Sequence, residues 1–184
     1  MAKKIVVLTG SPRKKGNANA LADAFIKGAE KQGHSVKRFD TANMDILGCV
    51  ACNGCYKKKD RACAYKDDFN DMAPALEKAD AIVFITPLYW YSFPAKLKAA
   101  IDKFYALIVG EKPLQGKESA MIVCGADDVD TGFEGIFKSY QTIADYLQWK
   151  VVATLAVTGV DKKGAVEGTG WIRQAEELGK AFCR

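Results

Sequence analysis

Histidine is almost missing from this 184-residue chain: His34 is the only one. It follows Gly33 at the start of a strand-like run, which suits a surface position and offers neither a catalytic triad nor a histidine-built zinc hydrolase. No apolar run comes near the ~20 residues that a membrane helix needs. The apolar stretch in MAKKIVVLTG is also too short for a signal peptide, so a cytoplasmic location with no membrane partner is expected. The surplus of basic over acidic residues, 27 against 22, is interleaved along the chain. That pattern reads as a solvated surface and not as a nucleic-acid interface. Neither a Walker loop nor a GxGxxG turn occurs, and no ribose-phosphate site that would separate NADH from NADPH is legible. The carboxylate pairs Asp67–Asp68 and Asp127–Asp128 fall at loop-to-helix transitions, where capping accounts for them without catalysis. Linkers, repeats and low-complexity tracts are absent, so one domain over residues 1–184 is expected, with a cysteine-rich loop at 48–66.

What is present is alternation. KIVVLTG (4–10), HSVKRF (34–39), DAIVFITP (80–87), ESAMIVCG (118–125) and KVVATLAV (150–157) are short, apolar and rich in β-branched residues, as buried strands are. Between them, apolar residues recur at helical spacing: Leu21, Ala24, Phe25 and Gly28, with Asn17 as cap and Gly33 as stop; then Phe69, Met72, Leu76 and Ala79. Pro94 opens a helix carrying Leu97, Ile101 and Phe104. Further helices carry Ile136, Tyr140, Ile143 and Leu147, and finally Ile172, Ala175, Leu178 and Phe182. Five such units predict an α/β fold, a doubly wound five-stranded parallel sheet of order 2-1-3-4-5 with helices on both faces. In such sheets a ligand sits beyond the carboxyl ends of the strands where the order reverses, so the loops after strands 1, 3 and 4 should build the site.

The first of these loops, TGSPRKKGNAN, runs into a helix N-terminus, where free N–H groups favour a phosphate. Ser11 and Asn17 offer short polar donors, Arg13 a charge, and Gly10 and Gly16 room for a tight turn; a plain solvated turn is the alternative. The second, TPLYWYSFP, holds more aromatic surface than a turn requires. Tyr89 and Trp90 could cover a flat apolar ring while backbone N–H groups reach its polar edge, or form a subunit contact, or both. The third, CGADDVDTG, offers Gly125 for close approach, and its aspartates suit capping or solvent.

GSPRKKGNANAL, TPLYWYSFPAKLKAAIDKF and GVDKKGAVEGTGWIRQAEELGKAF resemble the NADPH-dependent FMN reductase family of flavodoxin-like proteins, and the cysteine run followed by YKDDF resembles its iron–sulfur flavoprotein subgroup. The resemblance implies FMN held through its phosphate by Ser11, Arg13, Asn17, Ala18 and Asn19, and through its ring by Pro87, Leu88, Tyr89 and Trp90; Gly16 and Gly125 join the expected cofactor-binding residues as the tight-turn and close-approach positions. It implies an oxidoreductase with NAD(P)H or a ferredoxin-like electron donor and a small-molecule acceptor, or else an electron carrier partnered with ferredoxin. It also implies a homodimer or homotetramer. Ala18 stands where many relatives carry Ser or Thr, which removes one hydroxyl from the phosphate site.

The six cysteines are unevenly spread. Cys49, Cys52, Cys55 and Cys63 lie at intervals of three, three and eight residues. Such a run can wrap an iron–sulfur cluster of the 4Fe–4S type; zinc, which favours two separate knuckles, and unligated thiols remain alternatives. Lys57, Lys58, Lys59 and Arg61 would favour thiolates there. Cys124 and Cys183 have no partner at ligand spacing and read as packing residues.

Overall fold

A computed structural model of the chain describes residues 1–57 and 61–183, apart from the side chains of Asp130 and Cys183. Lys58 and Lys59 of the cysteine loop, and the packing role expected of the Cys183 side chain, therefore lie outside the described residues. Five strands form one sheet: β1 (Lys4–Thr9), β2 (Ser35–Asp40), β3 (Ala81–Pro87), β4 (Glu118–Cys124) and β5 (Lys150–Val157). Their order is β2-β1-β3-β4-β5 and all neighbours run parallel. This is the flavodoxin-like arrangement expected from the alternation of elements.

Strand periodicity divides the core in two. Ile5, Val7, Val83, Ile85, Ala120 and Ile122 face the helices α1 (Asn17–Lys31) and α6 (Gly170–Lys180). Val6, Leu8, Ile82, Phe84, Met121 and Val123 face α2 (Phe69–Lys78), α3 (Ala95–Asp102), α4 (Phe104–Val109) and α5 (Glu134–Tyr146). Because successive residues of β1, β3 and β4 point to opposite buried faces, those strands are continuous apolar runs. The α1–α6 crossing is unusually close. A Cβ on Gly28 would lie 2.0 Å from the Glu176 carbonyl oxygen, and one on Gly179 would lie 2.1 Å from that of Phe25. Among the described residues, no helix is long and apolar enough to cross a membrane.

Three local expectations change. Asn17 is the first helical residue and not the cap; Gly16 holds the cap position in an extended conformation. The helix after Pro94 does not run through: it breaks at Lys103, which is buried and paired with the equally buried Asp67. A buried ammonium must stay close to its counter-ion, and here that pairing coincides with the junction of α3 and α4. His34 is buried and not at the surface: it is 5% exposed, with Nδ1 accepting from the Lys3 N–H at 3.0 Å. It does sit at the amino end of β2, away from the carboxyl edge. The register that pairs Thr9 with Ile85 and Pro87 with Cys124 brings the ends of β1, β3 and β4 to one edge.

Candidate functional site

At that edge lies a cleft with about 570 Å³ of space, including its open mouth. Ser11, Arg13, Gly16, Asn17 and Ala18 line one side, and Pro87, Leu88, Tyr89 and Gly125 the other. Asn19 and Trp90, also expected in the site, are not part of the lining. Residues missed in the sequence complete it: Cys124, Ala126, Val160 and Asp161. The last two belong to the loop after β5, which the switch-point rule does not include.

The polar geometry explains how that loop arrives. The Asn17 amide nitrogen donates to the carbonyls of Val160 (3.0 Å) and Lys162 (2.9 Å), and its oxygen accepts from the Val166 N–H (3.2 Å). The side chain thus ties the β5 loop to the start of α1 and has no donor left for a ligand. Asn19 is engaged in the same way. Its nitrogen donates to the Arg13 carbonyl (2.7 Å) and its oxygen accepts from Arg38 (2.8 Å). The Gly16 N–H also reaches the Arg13 carbonyl (2.8 Å), closing the turn, and a Cβ on Gly16 would lie 2.9 Å from that of Arg13. The asparagines of GNAN are therefore braces. The donors left for an anion are the N–H groups of Asn17 and Ala18, which have no partner among the described residues, together with the Ser11 hydroxyl and Arg13. A helix start with free N–H groups and a nearby guanidinium fits a phosphate.

On the opposite side the backbone is more committed than expected. The Leu88 N–H donates to Cys124 O (2.8 Å), and Tyr89 and Ser92 exchange both bonds across a two-residue turn. Pro87 has no N–H, so the main-chain N–H of Trp90 is the one free backbone donor of Pro87–Trp90 among the described residues. Trp90 and Tyr91 occupy that turn with φ of 46° and 61°, and the Trp90 side chain is 93% exposed. Two non-glycine residues in the left-handed region cost ~1–3 kcal/mol each, and such strain gathers at functional positions. The Cys124 thiol, buried beneath the cleft, is pushed up to about 12 by desolvation and stays protonated.

Cys49, Cys52, Cys55 and Cys63 line a second pocket, with Lys103 and Tyr105 in its wall. Ala51, Asn53 and Tyr56 all have φ between 51° and 53°. These reversals fall around Cys52 and Cys55, in the loop that lines the pocket. Burial, followed by the charges of Cys63, Cys49 and Cys52, pushes the Cys55 thiol up. The buried Arg61 Nε has no hydrogen-bond partner among the described residues. No three His, Cys, Asp or Glu side chains among those residues converge on a single metal ion.

The sequence pattern of NADPH-dependent FMN reductases matches residues 3–131. An iron-sulfur flavoprotein of Archaeoglobus fulgidus is 29% identical, across 98% of this chain and 79% of its own length. Another, from Methanosarcina thermophila, is 26% identical across 98% and 93%. An NAD(P)H:quinone oxidoreductase from Methanothermobacter marburgensis has the same fold, with a TM-score of 0.74 at 18% identity, covering 100% of this chain and 98% of that one. With the motifs of its β1 and β3 loops set in that fold, the chain belongs to the NADPH-dependent FMN reductase family and, within it, stands with the iron–sulfur flavoproteins.

Proposed function

We propose that the chain binds FMN in the switch-point cleft and works as an FMN-dependent oxidoreductase, passing electrons from NAD(P)H or a reduced carrier to a quinone, flavin, oxygen or similar small acceptor. The observation that carries this reading is the single cleft in which the free N–H groups of Asn17 and Ala18, the Ser11 hydroxyl and Arg13 face Pro87, Leu88, Tyr89 and Gly125. The first set would hold the phosphate, and the second would pack against the ring. Bound there, FMN supplies the electron chemistry, accepting one or two electrons and passing them on. The chain's own part is to bind, orient and shield. Asn17 holds the β5 loop against the mouth, and Leu88 and Tyr89 supply apolar cover. No residue is required as a general base. The exposed Trp90–Tyr91 turn also supports a homodimer or homotetramer with the cleft near the contact.

The cysteine pocket favours a second reading within the same fold. Cys49, Cys52, Cys55 and Cys63 would hold a 4Fe–4S cluster, which supplies one-electron transfer. The reversals at Ala51, Asn53 and Tyr56 let the loop turn about such a group. A structural zinc ion, which more often joins two separate knuckles, suits this compact run less well. The protein would then be an electron carrier, with exposed Lys57 beside the cluster to meet an acidic ferredoxin-like partner.

Protein purified without oxygen and supplemented with FMN and iron tests both readings. Retained FMN with steady oxidation of NADH or NADPH by a quinone supports the enzyme. Retained FMN and about four irons per chain, with turnover only on addition of reduced ferredoxin, supports the carrier. Protein that retains no FMN refutes both.

A further inference from the structure

Arg38 touches no part of the cleft, yet its guanidinium joins the two elements that support the phosphate loop. The β1–β2 register sets Arg38 opposite Val7 and Asp40 opposite Thr9, so Arg38 and Asp40 share one face of β2. Asn19 and Asp23 lie one turn apart on α1. From this position Arg38 donates through Nε to Asp40 (2.6 Å), through Nη1 to Asp23 (2.6 Å) and through Nη2 to Asn19 Oδ1 (2.8 Å). Asp40 is itself held by the Thr9 hydroxyl at 2.6 Å.

The consequence lies in the Asn19 amide. A guanidinium only donates and a carbonyl only accepts, so one orientation alone satisfies both neighbours: oxygen to Arg38, nitrogen to the Arg13 carbonyl. That nitrogen and the Gly16 N–H together bind the Arg13 oxygen, at 2.7 and 2.8 Å. With both lone pairs engaged, the Arg13 carbonyl offers no free negative end to an incoming anion, and the Arg13–Gly16 turn is pinned. Without Arg38, the amide could turn and release the carbonyl.

We propose that Arg38 is a positioning residue that, acting through Asn19, sets the preference of the cleft for a phosphate-bearing flavin over the same flavin without phosphate. This rests on the FMN reading above. The loop held by the relay contacts the phosphate and not the ring. Its loss therefore weakens FMN and leaves riboflavin alone, whereas general destabilisation of the cleft would weaken both. Lysine in place of arginine keeps the charge but lacks the planar fork that serves three acceptors at once.

The test is fluorescence titration of flavin-free protein with FMN and with riboflavin, for the unaltered chain, Arg38→Lys and Asn19→Ala. The expected result is a fall in the FMN-to-riboflavin affinity ratio of about tenfold, or ~1.4 kcal/mol, in both variants, with riboflavin affinity within about twofold of the original. A ratio preserved by Arg38→Lys means that only charge matters and overturns the proposal. So does a parallel loss of both flavins in either variant. If Arg38→Lys does not fold, the Asn19→Ala ratio decides alone. An unaltered chain that binds neither flavin refutes the FMN reading itself, an outcome distinct from a binding protein whose ratio does not move.

Discussion

Replacing Asn17 by alanine separates a ligand donor from a structural brace. If Asn17 were a phosphate donor, the flavin-free protein would lose nothing and only FMN affinity would fall. The structure gives its amide three partners instead: the Val160 and Lys162 carbonyls and the Val166 N–H. Each such bond is worth about 1 kcal/mol net, and a buried group left without a partner costs ~1–3 kcal/mol. Val166 is fully buried, so its N–H has no ready access to water. Alanine returns about half a kcal/mol as a better helix former. The expected loss in flavin-free protein is therefore about 2–4 kcal/mol. With a urea slope of ~2–3 kcal/mol/M, the unfolding midpoint moves down by about 1 M. Asn17→Asp sharpens the test. It keeps the acceptor for Val166 but sets a carboxylate oxygen against two carbonyls, which disfavours the charged form and raises its pKa on folding. A carboxyl with a raised folded pKa destabilises when ionised, so this variant should be poor at neutral pH and recover as the pH falls through that pKa. Urea curves of flavin-free Asn17→Ala that overlay those of the unaltered protein would refute the brace and restore the ligand role.

The close α1–α6 crossing predicts that Gly28→Ala destabilises despite the better helix propensity, because the new methyl meets the Glu176 backbone and not a movable side chain. A loss of about 1–3 kcal/mol by urea unfolding is expected, and a neutral or stabilising result contradicts the packing. Cys124, with its thiol near 12, should resist iodoacetamide at pH 8 in cluster-free folded protein while the exposed Cys49 and Cys52 react. Peptide mapping that finds Cys124 labelled as fast as Cys49 rules out that burial. His34 has a pKa lowered first by burial and then by Lys3. The unfolded chain therefore takes up the proton first, so stability is complete above pH 6.5, falls as the pH drops toward the folded value and levels off below it. His34→Asn, which keeps an acceptor for Lys3, should flatten that part of the urea-midpoint profile; an unchanged profile assigns the acid sensitivity elsewhere.

The parts of this protein legible in its sequence are those governed by periodicity. IVVL, AIVFI and AMIV, short and rich in β-branched residues, read as strands covered on both sides, and the spacing of Leu21, Phe25 and Gly28 fixes the inner face of α1. Strand order and the placing of the cleft follow from those patterns, since a parallel sheet leaves few ways to connect its strands. Side-chain employment follows a different logic. GNAN looks like a set of phosphate donors because short amides beside a helix start are suited to that work. Yet the acceptors that engage them, at Val160, Lys162 and Arg13, are main-chain carbonyls that any residue would supply, and so leave no mark in the sequence. The buried places of His34 and Lys103 were hidden for two reasons: the partner of His34 is the Lys3 backbone N–H, which leaves no mark, and that of Lys103 is a carboxylate 36 residues away that reads as a cap. Hydrogen bonds to the backbone decide which polar side chains remain free for a ligand, and here they leave the N–H groups of α1, and not the amide side chains, for the proposed phosphate site. On that proposal the Ala18 departure matters less than the motif suggests, because a phosphate would meet the Ala18 main chain, which the missing hydroxyl leaves in place.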